Sequence, residues 1–131
     1  MNLQLNDRTC LITGASQGIG KGTARVMAAE GCRIAILARR KALLDELADE
    51  IAETGATRPE VIDADVTRED APANIRDRVY KTLGGLDILV NCAGGSRPIS
   101  WDAPDDAWHE GMTLNFEALR RLTLPFIPKM Q

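Results

Sequence analysis

The chain alternates short β-rich apolar runs with longer stretches of helical spacing, and this alternation narrows the fold more than any other feature. The first run is Thr9-Cys10-Leu11-Ile12-Thr13, followed by Gly14-Ala15-Ser16-Gln17-Gly18-Ile19-Gly20 and a helical segment to Glu30. Gly31 stands where a helix C′ residue is expected. After the second run, Arg33-Ile34-Ala35-Ile36-Leu37-Ala38, Leu44, Leu47 and Ile51 recur at the spacing of one buried helix face, up to Thr54-Gly55. The third run is Glu60-Val61-Ile62-Asp63-Ala64; Ile75, Val79 and Leu83 form the next stripe, which stops at Gly84-Gly85. The fourth run, Leu86-Asp87-Ile88-Leu89-Val90-Asn91, leads through a loop around Gly94-Gly95-Ser96-Arg97-Pro98 to a last helix. Pro104, Asp105 and Asp106 mark its start, where acids suit the positive helix end. Its predicted buried stripe is Trp108, Met112, Phe116 and Leu119, and Pro125 and Pro128 are expected to kink or end it.

Runs that are nearly all apolar fit strands covered on both faces. Strands alternating with helices predict an α/β fold with a parallel sheet and right-handed crossovers. The 131 residues suit one domain. The expected architecture over residues 1–131 is a Rossmann-type doubly wound parallel sheet. Such sheets bind ligands beyond the carboxyl ends of their strands, at the point where the strand order reverses.

Composition removes other classes. A net charge of −3 and a pI near 5.2 show no basic footprint for nucleic acid and no polybasic membrane patch. No apolar run is long enough to span a bilayer, and residues 1–7 lack the basic and apolar regions of a signal peptide. Cys10, Cys32 and Cys92 are odd in number and widely spaced, and His109 is the one histidine, so neither a disulfide framework nor a zinc site is expected. They read as three small buried thiols in a reducing cytoplasm.

The chemistry sits at the strand ends. After the first strand, Gly14 allows dihedrals that a Cβ would forbid. Gly18 leaves room for a pyrophosphate, Gly20 lets the helix pack close, and free N–H groups of the first helical turn face the anion. The alternative is a tight turn with no ligand. After the second strand, Ala38 stands where an acid would accept bonds from a ribose 2′-hydroxyl, and Arg39 and Arg40 follow. A guanidinium suits a 2′-phosphate, which predicts NADP(H) over NAD(H); the alternative is a pair of solvated charges opening a helix. After the third strand, Asp65 suits an adenine amino group and Val66 the ring, although Asp-x-Thr is also a common cap. After the fourth, Asn91-Cys92-Ala93-Gly94-Gly95 lets the backbone pass close to a flat ligand, or simply turns. Asn91 could instead tie strand ends together. Asn115, a poor helix former beside the core stripe, points to a specific partner such as a backbone carbonyl or water. His109 reads as a solvated helix residue, and Trp101 and Trp108 as core or interface.

Taken together, these features resemble the short-chain dehydrogenase/reductase family. The spacing of Thr13 to Gly20 matches its Thr-Gly-x-x-x-Gly-x-Gly motif, and Asn91-Cys92-Ala93-Gly94 its Asn-Asn-Ala-Gly motif, with Cys92 in place of an asparagine. The resemblance implies a sheet order of 3-2-1-4. It implies phosphate contacts at Gly14, Ser16, Gln17, Gly18, Ile19 and Gly20, 2′-phosphate recognition at Arg39 beside Arg40, and adenine contacts at Asp65 and Val66. It implies that Asn91, Ala93 and Gly94 line the nicotinamide-side ribose, and that Asn115 supports a catalytic proton relay. It also implies a Ser and a Tyr-x-x-x-Lys that are not here: Tyr80 is the one tyrosine, and Gly84 stands four residues later.

The expected protein is therefore the cofactor-binding half of an NADP(H)-dependent oxidoreductase, truncated after the asparagine helix and inactive alone. Its full form would be a homo-oligomer acting on a small carbonyl or alcohol substrate. The alternative is a non-catalytic nucleotide-binding module; a methyltransferase-like fold suits the glycine spacing less well. An open edge on the fourth strand, with Trp108, Phe116, Leu119 and Phe126 on the last helix, predicts self-association.

Overall fold

Every residue of the first strand is buried, and successive side chains go to opposite layers, as the two-residue strand period requires. This strand, β1 (Thr9–Thr13), is the centre of the computed structural model, which describes residues 2–96 and 98–130. The other elements are α1 (Gly18–Ala29), β2 (Arg33–Ala38), α2 (Lys41–Glu53), β3 (Glu60–Asp63), α3 (Ala71–Leu83), β4 (Ile88–Val90), α4 (Asp105–Met112) and α5 (Ala118–Thr123). A π-helical turn, Thr113–Glu117, joins α4 to α5, and a 3₁₀ turn spans Ile127–Lys129.

The sheet is parallel, in the order β3-β2-β1-β4. The chain steps outward from β1 to β3, then returns to pair β4 on the other side of β1. That reversal makes the crevice between β1 and β4 the switch point. Cys10, Ile12, Ile34 and Ile36 share one layer with Ala24, Ala28, Leu44, Leu47 and Ile51 of α1 and α2. Leu11, Ala35, Leu37 and Ile62 share the other with Ile75, Val79 and Leu83 of α3 and Leu122 of α5. The predicted stripes of α2 and α3 are thus the buried ones. Helix α5 ends at Thr123, two residues ahead of Pro125, as expected of a residue that cannot continue a helix.

The last helix departs from its predicted stripe. Trp108, Met112 and Phe116 are each about half exposed, and α4 buries no residue. The face turned to α3 is instead Ala118, Leu122 and Phe126, at intervals of four. Trp108 and Met112 lie on a helix with no core against it, and beyond them the wider i→i+5 closure of the π turn inserts an extra residue, so the stripe does not run on in phase into Ala118, Leu122 and Phe126. Phe126 is fully buried, with its ring edge-on to Tyr80 at 5.7 Å, and so is not part of the exposed apolar face. Trp101 is 90% exposed and belongs to no core. Cys92 is half-buried, unlike Cys10 and Cys32. The predicted loop residue Arg97 lies outside the described residues.

At the amino end of the sheet, Asp87 clamps β1. Its Oδ2 accepts the Thr9 amide at 2.8 Å and the Thr9 hydroxyl at 3.1 Å, and its own amide donates to Thr9 Oγ1 at 3.0 Å. These bonds, with the Arg8 charge, hold its carboxyl below the ordinary 3.8. A depressed acid stabilises the fold fully above its unfolded value and loses that contribution as pH falls through the lower folded value. Asp87→Ala should therefore cost about 1 kcal/mol at pH 7 and much less near pH 2, read from urea midpoints at both pH values.

Candidate functional site

Thr13 ends β1 with its side chain fully buried, and its hydroxyl serves the end of β4 and the loop after it. It accepts the amides of Cys92 at 3.1 Å and Ala93 at 3.0 Å, and points at the Val90 carbonyl at 3.5 Å. Gly14 follows with φ +62, and a Cβ there would lie 2.5 Å from the Cys92 carbonyl oxygen. The glycine loop and the loop after β4 thus touch backbone to backbone. A Cβ on Gly20 would lie 2.3 Å from the Gly14 oxygen, so the first turn of α1 rests on the glycine loop itself. Gly18 behaves differently: φ is +59, and nothing lies within 4 Å of where its Cβ would be.

Two of the three glycines therefore close the turn, and the third leaves a space. Around that space Gln17, Gly18 and Ile19 are exposed and Ser16 is half-buried. Gln17 is the N-cap of α1 in extended backbone, with no side-chain cap bond, so the first amides of the helix keep their donors. Ile19 is 82% exposed, a large apolar side chain without cover at the mouth of the crevice. An open cradle of N–H donors at a helix N-terminus, walled by an uncovered isoleucine, fits a phosphate flanked by apolar groups.

The loop after β4 is held from below by Asn115, in the π turn. Its Nδ2 donates to the Gly95 carbonyl at 2.8 Å and the Gly111 carbonyl at 3.0 Å, and its Oδ1 accepts the Gly95 amide at 2.9 Å. Asn115 thus bonds both backbone groups of Gly95, as a neighbouring strand would. A Cβ on Gly94 would lie 2.8 Å from Asn115 Oδ1. The expected specific partner of Asn115 is found, and it is backbone. Asn91 does not tie strand ends together; its Nδ2 donates to the Thr123 hydroxyl on α5 at 3.1 Å.

The far end of the crevice lies at β2 and β3. The Ala64 amide donates to the Ala38 carbonyl at 3.0 Å, which brings Asp65 beside the end of β2. Asp65 Oδ1 accepts the Thr67 amide at 2.9 Å and its hydroxyl at 2.6 Å. Those bonds hold its carboxyl below the ordinary value, and the charges of Arg39 and Arg68 add to them. Asp65 thus caps its own loop and also faces Arg39. Val66 is 8% exposed, so most of its side chain is spent on the core. Arg39 and Arg40 are both exposed, and Arg40 Nη2 donates to Gln17 Oε1 at 3.2 Å. His109 is exposed on α4. Burial pushes the Cys10 thiol up to about 12, which keeps it unreactive. Among the described residues no group of three His, Cys, Asp or Glu is placed to hold a metal.

The structure therefore gathers Gly14 to Gly20, Ala93, Gly94 and Asn115 at one end of the crevice, and Arg39, Arg40, Asp65 and Val66 at the other. Sequence reasoning missed the Thr13 hydroxyl as the tie between loops. A hydroxyl at the buried end of an otherwise apolar strand is the signal that could have found it.

The short chain dehydrogenase family model matches residues 8–131. The chain belongs to the short-chain dehydrogenase family. It is 37% identical over 131 residues to a short chain dehydrogenase of Pseudocercospora fijiensis, covering 97% of this chain and 42% of that protein. L-sorbose reductase of Gluconobacter frateurii, solved with NADPH and L-sorbose, superposes with a TM-score of 0.91 at 33% identity, over 99% of this chain and 50% of that one. A 7α-hydroxysteroid dehydrogenase solved with NADH and 7-oxo glycochenodeoxycholic acid gives 0.93 at 31%, over 98% and 50%. The chain spans about half the length of the curated relatives it matches. The family uses nicotinamide cofactors, and these two neighbours carry different ones, so the shared fold does not choose between them.

The glycines give a paired test. Gly14→Ala should cost about 2–4 kcal/mol, because it adds left-handed strain to a clash with backbone. Gly22→Ala, in the interior of α1 with nothing within 4 Å of the new Cβ, should be neutral or stabilise by about 0.5–1 kcal/mol. Urea unfolding of the two variants beside the parent checks both.

Proposed function

We propose that the chain is the cofactor-binding half of an NADP(H)-dependent short-chain oxidoreductase. The parent reaction would interconvert a small carbonyl and its alcohol. One observation carries the cofactor choice. Ala38, not an acid, ends β2, and the exposed Arg39 and Arg40 that follow take part in no ion pair among the described residues. Cations left unpaired beside an anion cradle suit a 2′-phosphate, which an acid at that point would repel.

In this reading the loop from Gly14 through Ser16, Gln17, Gly18 and Ile19 to Gly20 holds the pyrophosphate. Arg39 and Arg40 meet the 2′-phosphate, Asp65 and Val66 border the adenine, and Asn91, Ala93 and Gly94 border the second ribose. When bound, the nicotinamide supplies hydride exchange. Asn115 keeps the 93–95 backbone in place and takes part in the proton relay. Exposed Trp108, Met112 and Phe116 support homo-oligomerisation of the full protein, and the three free cysteines support a reducing, cytoplasmic setting.

A specific observation favours a second reading, nucleotide binding without turnover by these 131 residues. Tyr80 lies in α3 with its hydroxyl buried and without a hydrogen-bond partner among the described residues, and Gly84, not a lysine, stands at the fourth following position. That tyrosine is not placed as a proton donor.

Fluorescence titration should give tighter binding of NADPH than NADH by about tenfold or more, which is about 1.4 kcal/mol. Arg39→Ala should remove most of that preference. Equal affinities in the parent would sink the NADP(H) reading. Carbonyl reduction by a preparation verified by mass at 14.3 kDa would sink the reading without turnover.

A further inference from the structure

Gln17 has a side chain that its local structure does not need. As N-cap of α1 it makes no capping bond, and it is exposed. The side chain instead crosses from the glycine loop to the end of β2, where Oε1 accepts Arg40 Nη2 at 3.2 Å. Arg40 is equally free of local duty. It is the N-cap residue of α2 without a cap bond, and it joins no ion pair among the described residues. The neighbouring Arg39 has a different setting, since its charge acts on Asp65, in the loop after β3 beside the end of β2.

The two arginines thus belong to two sides of one site. Arg39 serves the side of Asp65, and Arg40 the side of the glycine loop. A neutral amide suits the partner of Arg40 for a physical reason. It takes one of five guanidinium N–H donors and leaves the positive charge whole, whereas a carboxylate would cancel it. The residue type also fits the reach, because a long flexible guanidinium loses less entropy on meeting a phosphate when one end is already held.

We infer that Gln17 is a positioning residue for cofactor selection: it holds the Arg40 guanidinium over the glycine loop as a second ligand for the 2′-phosphate. This rests on the NADP(H) reading above and deepens it. Replacing the Gln17 side chain leaves the backbone amides of the glycine loop in place, so its effect on the 2′-phosphate can be read apart from the loop's own anion contacts.

The test uses the 131-residue chain and two probes read by calorimetry: adenosine 2′,5′-bisphosphate, and adenosine 5′-monophosphate, which lacks the 2′-phosphate. The parent should prefer the bisphosphate by about tenfold or more. Gln17→Ala should weaken the bisphosphate about threefold to tenfold more than it weakens the monophosphate, so that the preference itself falls. Gln17→Glu should weaken the bisphosphate further, and Arg40→Ala combined with Gln17→Ala should be no worse than Arg40→Ala alone. Circular dichroism confirms that each variant folds. If Arg40→Ala erases the preference but Gln17→Ala leaves it whole, the role of Gln17 is overturned and the NADP(H) reading stands. If the parent shows no preference, or binds neither probe, both are overturned.

Discussion

The site depends on one close approach. The backbone of the glycine loop lies against the backbone of the loop after β4, at a separation that leaves no room for a Cβ on Gly14. Thr13 then supplies the polar half of that contact, taking two amides of the opposite loop on one hydroxyl. Without the approach, the hydroxyl would be a buried polar group with few partners, a costly state. With it, the crevice between β1 and β4 has fixed walls, and the first turn of α1 can rest on Gly14. The open position at Gly18 is then framed by parts that cannot shift.

The second wall is set by a helix irregularity. Asn115, in the π turn, bonds both backbone groups of Gly95 and the Gly111 carbonyl as well. A regular α-helix leaves few carbonyls for a side chain to take, so π turns tend to mark functional positions. Beyond the same turn Ala118, Leu122 and Phe126 reach α3, while Trp108, Met112 and Phe116 stay outside.

Much of this was legible in the residues. The four strands, the stripes of α2 and α3 and the end of the last helix before Pro125 follow local periodicity and turn residues, the sheet order follows from the family resemblance, and the structure agrees. The glycine loop was legible because its glycines fall between a strand and a helix. What was not legible depends on contacts between distant segments. The stripe from Trp108 to Leu119 failed because periodicity shows which side chains share a helix face and not whether a core lies against it, and a π turn shifts its phase beyond Met112. The partner of Asn91 on α5, the bond between Arg40 and Gln17, and the double use of Asp65 as cap and charge neighbour leave no trace in local spacing. Thr13 opened the glycine motif, but nothing in local spacing shows that its hydroxyl takes two amides of the loop after β4.

The bonds that define the crevice join residues 79 and 80 positions apart along the chain. Closing a loop of that length costs entropy that no local structure returns. The pairing of β1 with β2 spans far less chain and can precede it. The crevice is therefore among the last features to form as the chain folds and among the first to be lost when β4 detaches. Any ligand held there bridges the early and late parts of the molecule, and its binding measures how completely they have come together.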